Sequence, residues 1–321
     1  LPRFAAAMES MLPPRSSKWH RLAPSDKTLM RNRSVRMWFD DVTDILFRQR
    51  YAPKANYASQ QHEVYLGLGA FGTGALYVDA LTGRGQRGLR YRAIHLGEMC
   101  FLENHQGLID TSLRRFRLTA RQAHQKFGDE LPEEVLKMAT EDGKTEREFE
   151  FVHCVKPRGD DYDRERLDHR GMEFASHYVS VTGKKIVSEG GYNTFPYPIS
   201  RYVVAPGETY GRSPAMTVLP AIKVLNEEKK TLLKQGHRTV DPVLLAHDDG
   251  VLDTFSMKPG AINAGGVSAE GRPLVHALPT GNLSLAAELM EMERAAINDS
   301  FLITLFQILV DTPQMTAAEV L

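Results

Sequence analysis

Three glycines at residues 67, 69 and 72 have the G-x-G-x-x-G spacing of a dinucleotide-binding loop. That chemistry needs a strand before the glycines and a helix after them, so that the N-terminus of the helix faces a pyrophosphate. Here the order is reversed, because a helical pattern runs from about residue 57 to 68 and a strand pattern covers residues 75–79. The spacing therefore favours a glycine-rich turn from helix to strand. A nucleotide-binding enzyme stays open as the weaker alternative.

Other reactive residue types do not form a catalytic or metal-binding pattern. The eleven histidines include no H-E-x-x-H, and His169 and His177 flank a loop that offers no third ligand. The acidic run at residues 160–163 lacks the glycine and the terminal glutamate of a calcium loop, which indicates a solvated charged loop. Neither G-x-S-x-G nor G-x-x-x-x-G-K-[ST] occurs. The sequence predicts no enzyme, no cofactor and no metal.

The remaining candidates are charges on two predicted helices. The first helix is basic, with Lys223, Lys229, Lys230, Lys234 and Arg238, and the second is acidic, with Glu288, Glu291, Glu293 and Asp299. One interpretation is that these charges pair between the helices or face solvent. The other is that some of them line a passage for a phosphate backbone, which they would contact without reading sequence.

The composition is that of an ordinary folded protein: 321 residues, 42% hydrophobic and 25% charged, with 40 basic and 40 acidic side chains. A net charge of zero excludes binding to nucleic acid or membranes through total charge, although it is compatible with a local basic patch. Cys100 and Cys154 are too few for a disulfide framework and indicate a reducing compartment. The longest apolar run, residues 301–310, is far shorter than the ~20 residues of a membrane span, so we expect no membrane partner.

The first two thirds of the chain have the pattern of an α+β body. Residues 1–54 are basic, with eleven Lys and Arg against five Asp and Glu, and include an amphipathic helix. Short helices are predicted at residues 119–127 and 132–138. Strands are predicted at residues 75–79 and 89–94 and, after these helices, at residues 149–156, 175–181 and 185–189, so helices and strands do not alternate as in a doubly wound sheet.

The architecture changes at Ser213, which has the form of a helix N-cap before a proline. One long helix is predicted from there to about residue 238, kinked at Pro220, and a second over residues 283–310. Each would be roughly 40 Å long. Residues 239–282 are rich in proline and glycine and allow only short strands, such as residues 243–246, 254–257 and 274–277. Because such a helical pair has more apolar flank than it can bury against itself, we expect symmetric self-assembly.

The order of several sequence strings resembles the bacteriophage head-to-tail connecting proteins, the portal proteins of short-tailed phages. Tyr210-Gly-Arg-Ser-Pro214 is followed by a helix, by Thr239-Val-Asp-Pro-Val-Leu-Leu245 and by Asp248-Asp-Gly250. Further landmarks in the family order are Trp38-Phe-Asp-Asp-Val-Thr-Asp44, Leu68-Gly-Ala-Phe-Gly-Thr-Gly-Ala-Leu76, Phe116-Arg-Leu-Thr-Ala-Arg-Gln122, Gly190-Gly-Tyr192 with Phe195-Pro196, and Met315-Thr-Ala-Ala-Glu-Val320. The resemblance covers nearly the whole chain.

The resemblance implies a portal-like division of the chain. Residues 1–212 would be the wing, 213–238 and 283–310 the two stem helices, 239–282 the clip, and 311–321 the start of the tunnel loop and its following helix. Family members continue beyond this point with more wing and a helical crown. The chain begins at Leu1 and ends just after a capping-box string at residues 316–319, and we expect both termini to be truncated.

The resemblance also implies partners and places. It implies a homo-oligomeric ring of twelve subunits at one capsid vertex, through which double-stranded DNA is packaged and later ejected, with capsid and scaffolding proteins around it. The clip would meet terminase and then tail adaptor proteins. The protein would reside in the virion, and in the host cytoplasm during assembly. A neck or tail adaptor ring stays open as an alternative.

Particular residues receive roles from the same resemblance. Channel-lining candidates are Lys223, Lys229, Lys230, Lys234 and Arg238. Tunnel-loop candidates are Asp311, Thr312, Pro313 and Gln314. Clip residues expected to face terminase or an adaptor are Asp248, Asp249, Lys258 and Arg272.

Overall fold

A computed structural model describes residues 1–15, 17–81, 88–141, 144–246, 256–258, 260–279 and 283–311. The chain forms two compact units, one made of Leu1–Thr217 with Phe301–Leu321 and the other of Val218–Ser300. The structure contains both helices and strands, and the described strands pair antiparallel within their sheets. The predicted α+β class is confirmed.

The first unit contains seven described helices and eight described strands. In chain order they are α1 Pro2–Met11, α2 Arg33–Arg50, α3 Tyr57–Phe71, β1 Thr73–Ala80, β2 Leu89–Ile94, β3 Met99–Glu103, β4 Ile109–Thr119, α4 Ala120–Phe127, α5 Glu133–Thr140, β5 Glu148–Pro157, β6 Phe174–Ser180, β7 Lys185–Tyr192, β8 Ile199–Arg201, α6 Pro214–Thr217 and, late in the chain, α9 Ile303–Asp311.

A five-stranded antiparallel sheet, in the order β3-β4-β5-β6-β7, is the larger of the two sheets in this unit. Helices α4 and α5 contribute to the core beside it, where Phe151 and Val135 are fully buried. Burial of a side chain such as Phe151 contributes about 2–3 kcal/mol. Helix α4 starts where predicted, because Thr119 and Gln122 form a reciprocal capping box. The sheet thus holds β4 and its charged side chains in a fixed register.

A smaller sheet, in the order β2-β1-β8, packs with α3 and α1. The three glycines of the G-x-G-x-x-G string belong to the end of α3. Gly72 ends the helix with φ +73°, and a Cβ there would lie 2.3 Å from the carbonyl oxygen of Gly211. A Cβ on Gly69 would meet the ring of Phe4 at 3.0 Å. These glycines permit close packing and a left-handed turn, and they do not open a helix toward a phosphate.

The second unit consists of α7 Leu219–Val240, β9 Leu244–Ala246, β10 Val275–Ala277 and α8 Leu283–Ser300. The two helices pack against each other. The two short strands, which lie between these helices in the sequence, pair antiparallel. At 1.5 Å per residue α7 is about 33 Å long and α8 about 27 Å. A strand predicted at residues 254–257 falls partly outside the described residues, and Ser256 and Met257 are not in a strand.

Two predictions about the long helices are wrong. The helix expected over residues 283–310 is interrupted after Ser300, because Leu302 adopts φ 55° and a new helix, α9, starts at Ile303. Pro220 does not kink a continuous helix. It stands in the first turn of α7, after a break at Val218, where its missing N–H has no helical partner to lose.

Candidate functional site

The basic residues of α7 do not all share one side of the helix. With about 3.6 residues per turn, Lys223, Lys230, Lys234 and Arg238 fall on one stripe, whereas Lys229 lies more than a quarter turn away. All five side chains are exposed. The helix therefore presents a four-residue basic face and one separate lysine.

Most of this basic face is not neutralised by the described residues. Nζ of Lys230 lies 3.3 Å from Oε2 of Glu227, one turn away, and both side chains are exposed. Within the described part of the chain, Lys223, Lys234 and Arg238 make no salt bridge. On α8, Arg294 pairs with Glu291 of the same helix. No described salt bridge joins α7 to α8, so the interpretation of complementary pairing between the helices finds no support in these contacts.

A groove of about 560 Å³ runs between the two helices of the second unit. Its walls are mainly apolar and include Val224, Leu232 and Leu289, of which Val224 is 47% and Leu289 46% exposed. One carboxylate oxygen of Glu228, which also lines the groove, is buried without a hydrogen-bond partner in the described residues. Exposed apolar side chains and an unsatisfied buried oxygen are both unfavourable in an isolated chain. The groove has the properties of an incomplete interface.

The candidate residues of the predicted clip and tunnel loop lie only partly within the described residues. Lys258 and Arg272 are exposed, and Nε of Arg272 lies 3.9 Å from Oε2 of Glu270. Asp311 is the last residue of α9. Asp248, Asp249, Thr312, Pro313 and Gln314 lie outside the described residues. Their suggested roles stay predictions.

The first unit contains a buried polar cluster that the sequence analysis did not identify. Imidazole Nε2 of His153 lies 2.9 Å from Oγ of Ser176, and the ring stacks on Tyr178 with centroids 3.9 Å apart. Burial, with smaller contributions from Lys126 and Arg114, lowers the pKa of His153 to about 3. The ring is therefore neutral at physiological pH. Alternation of polar and aromatic residues in β5 and β6 was the available signal, but it does not specify which histidine is buried.

Tyr77 extends this cluster from β1. Its hydroxyl donates to Oδ2 of Asp79 at 2.9 Å and lies 2.8 Å from the hydroxyl of Tyr192. Burial raises the pKa of Tyr77 far above its ordinary value. These bonds join β1 of the smaller sheet to β7 of the larger one. The cluster is a structural joint, because its hydroxyls bond each other in the interior instead of opening to a substrate.

The part of the chain that the structure describes contains neither a metal-binding group nor a helix that could cross a membrane. No three His, Cys, Asp or Glu side chains come together there as a metal-binding group. None of the described helices combines the length and hydrophobicity that crossing a bilayer requires.

Comparison with known proteins assigns the chain to a class. Residues 1–321 match the family described as bacteriophage head to tail connecting protein. A probable portal protein of Bordetella phage BPP-1 is 27% identical over 328 aligned residues, which cover 99% of this chain and 57% of that protein. The portal protein of Salmonella phage epsilon15 is 25% identical over 311 residues, covering 95% of this chain and 55% of that protein. The chain thus spans little more than half the length of these curated relatives.

Proposed function

Because the chain belongs to the bacteriophage head to tail connecting protein family, we propose that it is a portal protein, a structural ring subunit through which phage DNA passes. The observation that carries this proposal is the family match over all 321 residues, together with two relatives named as portal proteins. The ring has twelve copies, stands at a capsid vertex of the virion and is assembled in the host cytoplasm. Its role is non-enzymatic.

The two compact units support a division into wing, stem and clip. In this proposal the wing is residues 1–212, the stem helices are α7 and α8, and the clip is the segment between these two helices. Residues 311–321 begin the tunnel loop. The antiparallel pair β9 and β10 lies within the clip, and α7 and α8 supply the stem. Capsid and scaffolding proteins surround the ring, and the wing connects the ring to them.

Ring formation is supported by the groove between α7 and α8. A ring needs two different surfaces on each subunit, one of which receives the other from its neighbour. The exposed apolar wall at Val224 and Leu289 is one such surface. A donor group from the neighbouring subunit would satisfy the buried oxygen of Glu228. An exposed Leu233, on a different side of α7, is available as part of the second surface.

Contact with DNA is assigned to the four-residue basic face of α7. Phosphates are bound through charge without sequence readout, and each contact adds to the salt dependence of binding. The expected contacts are few and come from flexible lysine and arginine side chains, which suits DNA that slides through the ring. Lys229 lies off this face and serves as the matched control.

The test reverses charges on the basic face and at Lys229 in separate variants of the assembled particle. Lys234→Glu with Arg238→Glu is expected to lower DNA packaged per capsid and to flatten the salt dependence of DNA binding by the purified ring. Lys229→Glu changes the same kind of charge and is expected to leave both quantities near wild type. Equal behaviour of the two variants, or packaging unaffected by the double change, would remove the DNA-contact assignment.

The clip is assigned to terminase binding during packaging and to tail adaptor binding afterwards. Deletion of residues 241–279 tests this against the alternative of a neck or tail adaptor ring. If the protein is a portal, the deleted variant is expected to lose binding of purified terminase. The control is that the remaining particle keeps its ring shape in electron micrographs. Undiminished terminase binding by such a ring would contradict the assignment, as would failure of the intact protein to bind terminase.

A further inference from the structure

The edge of β4 is open along its last five residues. β3 pairs with β4 only as far as Arg114, opposite Met99, whereas β5 follows β4 to Thr119. Within the described residues, positions 115–119 therefore have a neighbouring strand on one side alone. At about 3.3 Å per residue this edge is ~16 Å long. Main-chain groups on such an edge can pair with an added extended segment.

A cavity of about 340 Å³ lies beside this open edge. Residues that contribute to its lining are Arg92, Gly97, Glu98, Arg115, Arg117 and Glu150. They come from β2, the 3₁₀ turn Leu96–Glu98, β4 and β5, so three elements besides β4 shape the space. An added segment would thus meet side chains as well as the main chain of the edge.

The carboxylates at the cavity are already engaged. Arg114, 5% exposed, donates through Nε and Nη2 to Oε2 of Glu98 at 3.1 and 2.9 Å. Arg115 and Arg117 both donate to Glu150, at 2.5 and 3.3 Å. These three arginines share the two carboxylates, which leaves little negative charge for a further arginine.

Arg92 is that further arginine. Its side chain is exposed, lines the cavity and makes no hydrogen bond or salt bridge to a residue that the structure describes. Burial lowers the pKa of Arg92, and repulsion by Arg114 lowers it further. A carboxylate placed in the cavity would offset the repulsion by Arg114, because it supplies a counter-charge.

We propose that the open edge of β4 and the cavity beside it bind an extended acidic segment of a partner protein, whose main chain pairs with residues 115–119 and whose carboxylate meets Arg92. The open edge favours a peptide over a nucleic acid, because a phosphate backbone cannot continue the strand hydrogen bonds. Arg92 supplies positive charge from β2, the edge strand of the smaller sheet, so the cavity combines cations from two edges. The inference is independent of the portal assignment.

The test uses the full purified chain and a fluorescent eight-residue peptide of alternating Glu and Val. We expect saturable binding by fluorescence anisotropy at low salt, and Arg92→Gln is expected to weaken it about tenfold, the loss of one charge-assisted hydrogen bond. Lys185→Gln, which likewise removes one positive charge but on the opposite edge strand β7, is the control and is expected to bind as wild type. A peptide methylated on alternate amide nitrogens keeps its charges but cannot complete the strand pairing, and it is expected to bind much more weakly.

Several results would overturn the proposal. They are absence of binding at millimolar peptide, equal binding by Arg92→Gln with an unchanged melting temperature, and equal binding of the methylated peptide. Displacement of the peptide by inorganic phosphate at matched concentration would identify a simple anion site instead. Displacement by a short DNA duplex at matched concentration would identify a nucleic-acid surface.

Discussion

The hydroxyl of Tyr197 lies 2.6 Å from Nδ1 of His153, between the two sheets of the first unit. With Ser176 on Nε2, both nitrogens of a buried imidazole have hydrogen-bond partners. A neutral ring satisfies both partners because one nitrogen donates and the other accepts. Burial keeps the pKa of the ring low, so the joint between the sheets encloses an uncharged histidine.

Acid is expected to destabilise the first unit through His153. Its pKa is about 3 in the folded protein and 6.5 ordinarily, so the unfolded state takes up the proton first. Stability is then complete above about pH 6.5 and falls as the pH drops toward 3, by on the order of 4–5 kcal/mol over that window. Urea unfolding at pH 7, 5.5 and 4 measures this loss.

The variant His153→Gln separates this effect from the titration of carboxylates. Glutamine keeps a donor and an acceptor but does not titrate, so the variant is expected to be less stable at pH 7 and to lose less stability on acidification. Identical pH profiles for variant and wild type would show that His153 is not the group responsible.

Gly72 is predicted to be far less replaceable than other glycines with positive φ. Alanine at Gly72 would place its Cβ 2.3 Å from the carbonyl oxygen of Gly211, in addition to the cost of φ +73°. Gly107 has φ +77° but no atom within 4 Å of an added Cβ. We expect Gly107→Ala to cost about 1 kcal/mol and Gly72→Ala at least twice as much. Chemical denaturation checks this, and equal costs would contradict the close approach of the two backbones.

Phe4 anchors the first helix and is expected to be a stability determinant. Its ring is fully buried and lies edge-on to Tyr202 and Phe301, with centroids 6.1 and 5.9 Å away. Truncation to alanine is expected to cost about 3–5 kcal/mol. Leu12→Ala, at a side chain that is 54% exposed just after the same helix, is the control and should change stability little. If residues 1–15 are no more sensitive to protease in Phe4→Ala than in the wild type, this packing is contradicted.

The groove on the second unit makes a prediction about assembly. Val224→Asp places a charge in the groove and is expected to reduce the assembled fraction at fixed concentration while the isolated subunit stays folded. Burying an unpaired charge costs several kcal/mol at each interface of a ring. Val240→Asp, at the exposed end of α7, is the matched control. Sedimentation velocity measures the assembled fraction, and loss of assembly in both variants, or in neither, would exclude the groove as the interface.

The local signals of the chain predicted a large part of the fold. Thr119 caps α4 as expected, and Ser213 caps α6, with its Oγ accepting from the amide of Met216 at 2.9 Å. β2 begins and ends where its pattern indicated. These features were predictable because they depend on residues a few positions apart.

Features set by distant contacts were not predictable from these patterns. β4 was missed because buried Arg114 and Ser112 occupy inward positions that normally hold apolar residues. The helix break at Leu302 was missed because residues 301–310 contain no glycine or proline to mark it, while Phe301 packs on Phe4 at the far end of the chain.

The mass and shape of the purified particle test the portal assignment most directly. Twelve copies of the 36.0 kDa chain give about 430 kDa, and we expect light scattering near that mass together with ring-shaped particles in negative stain. The central opening should be wide enough for a DNA duplex. Particles of that mass without an opening, or a folded chain that stays monomeric or dimeric at every concentration, would contradict the account.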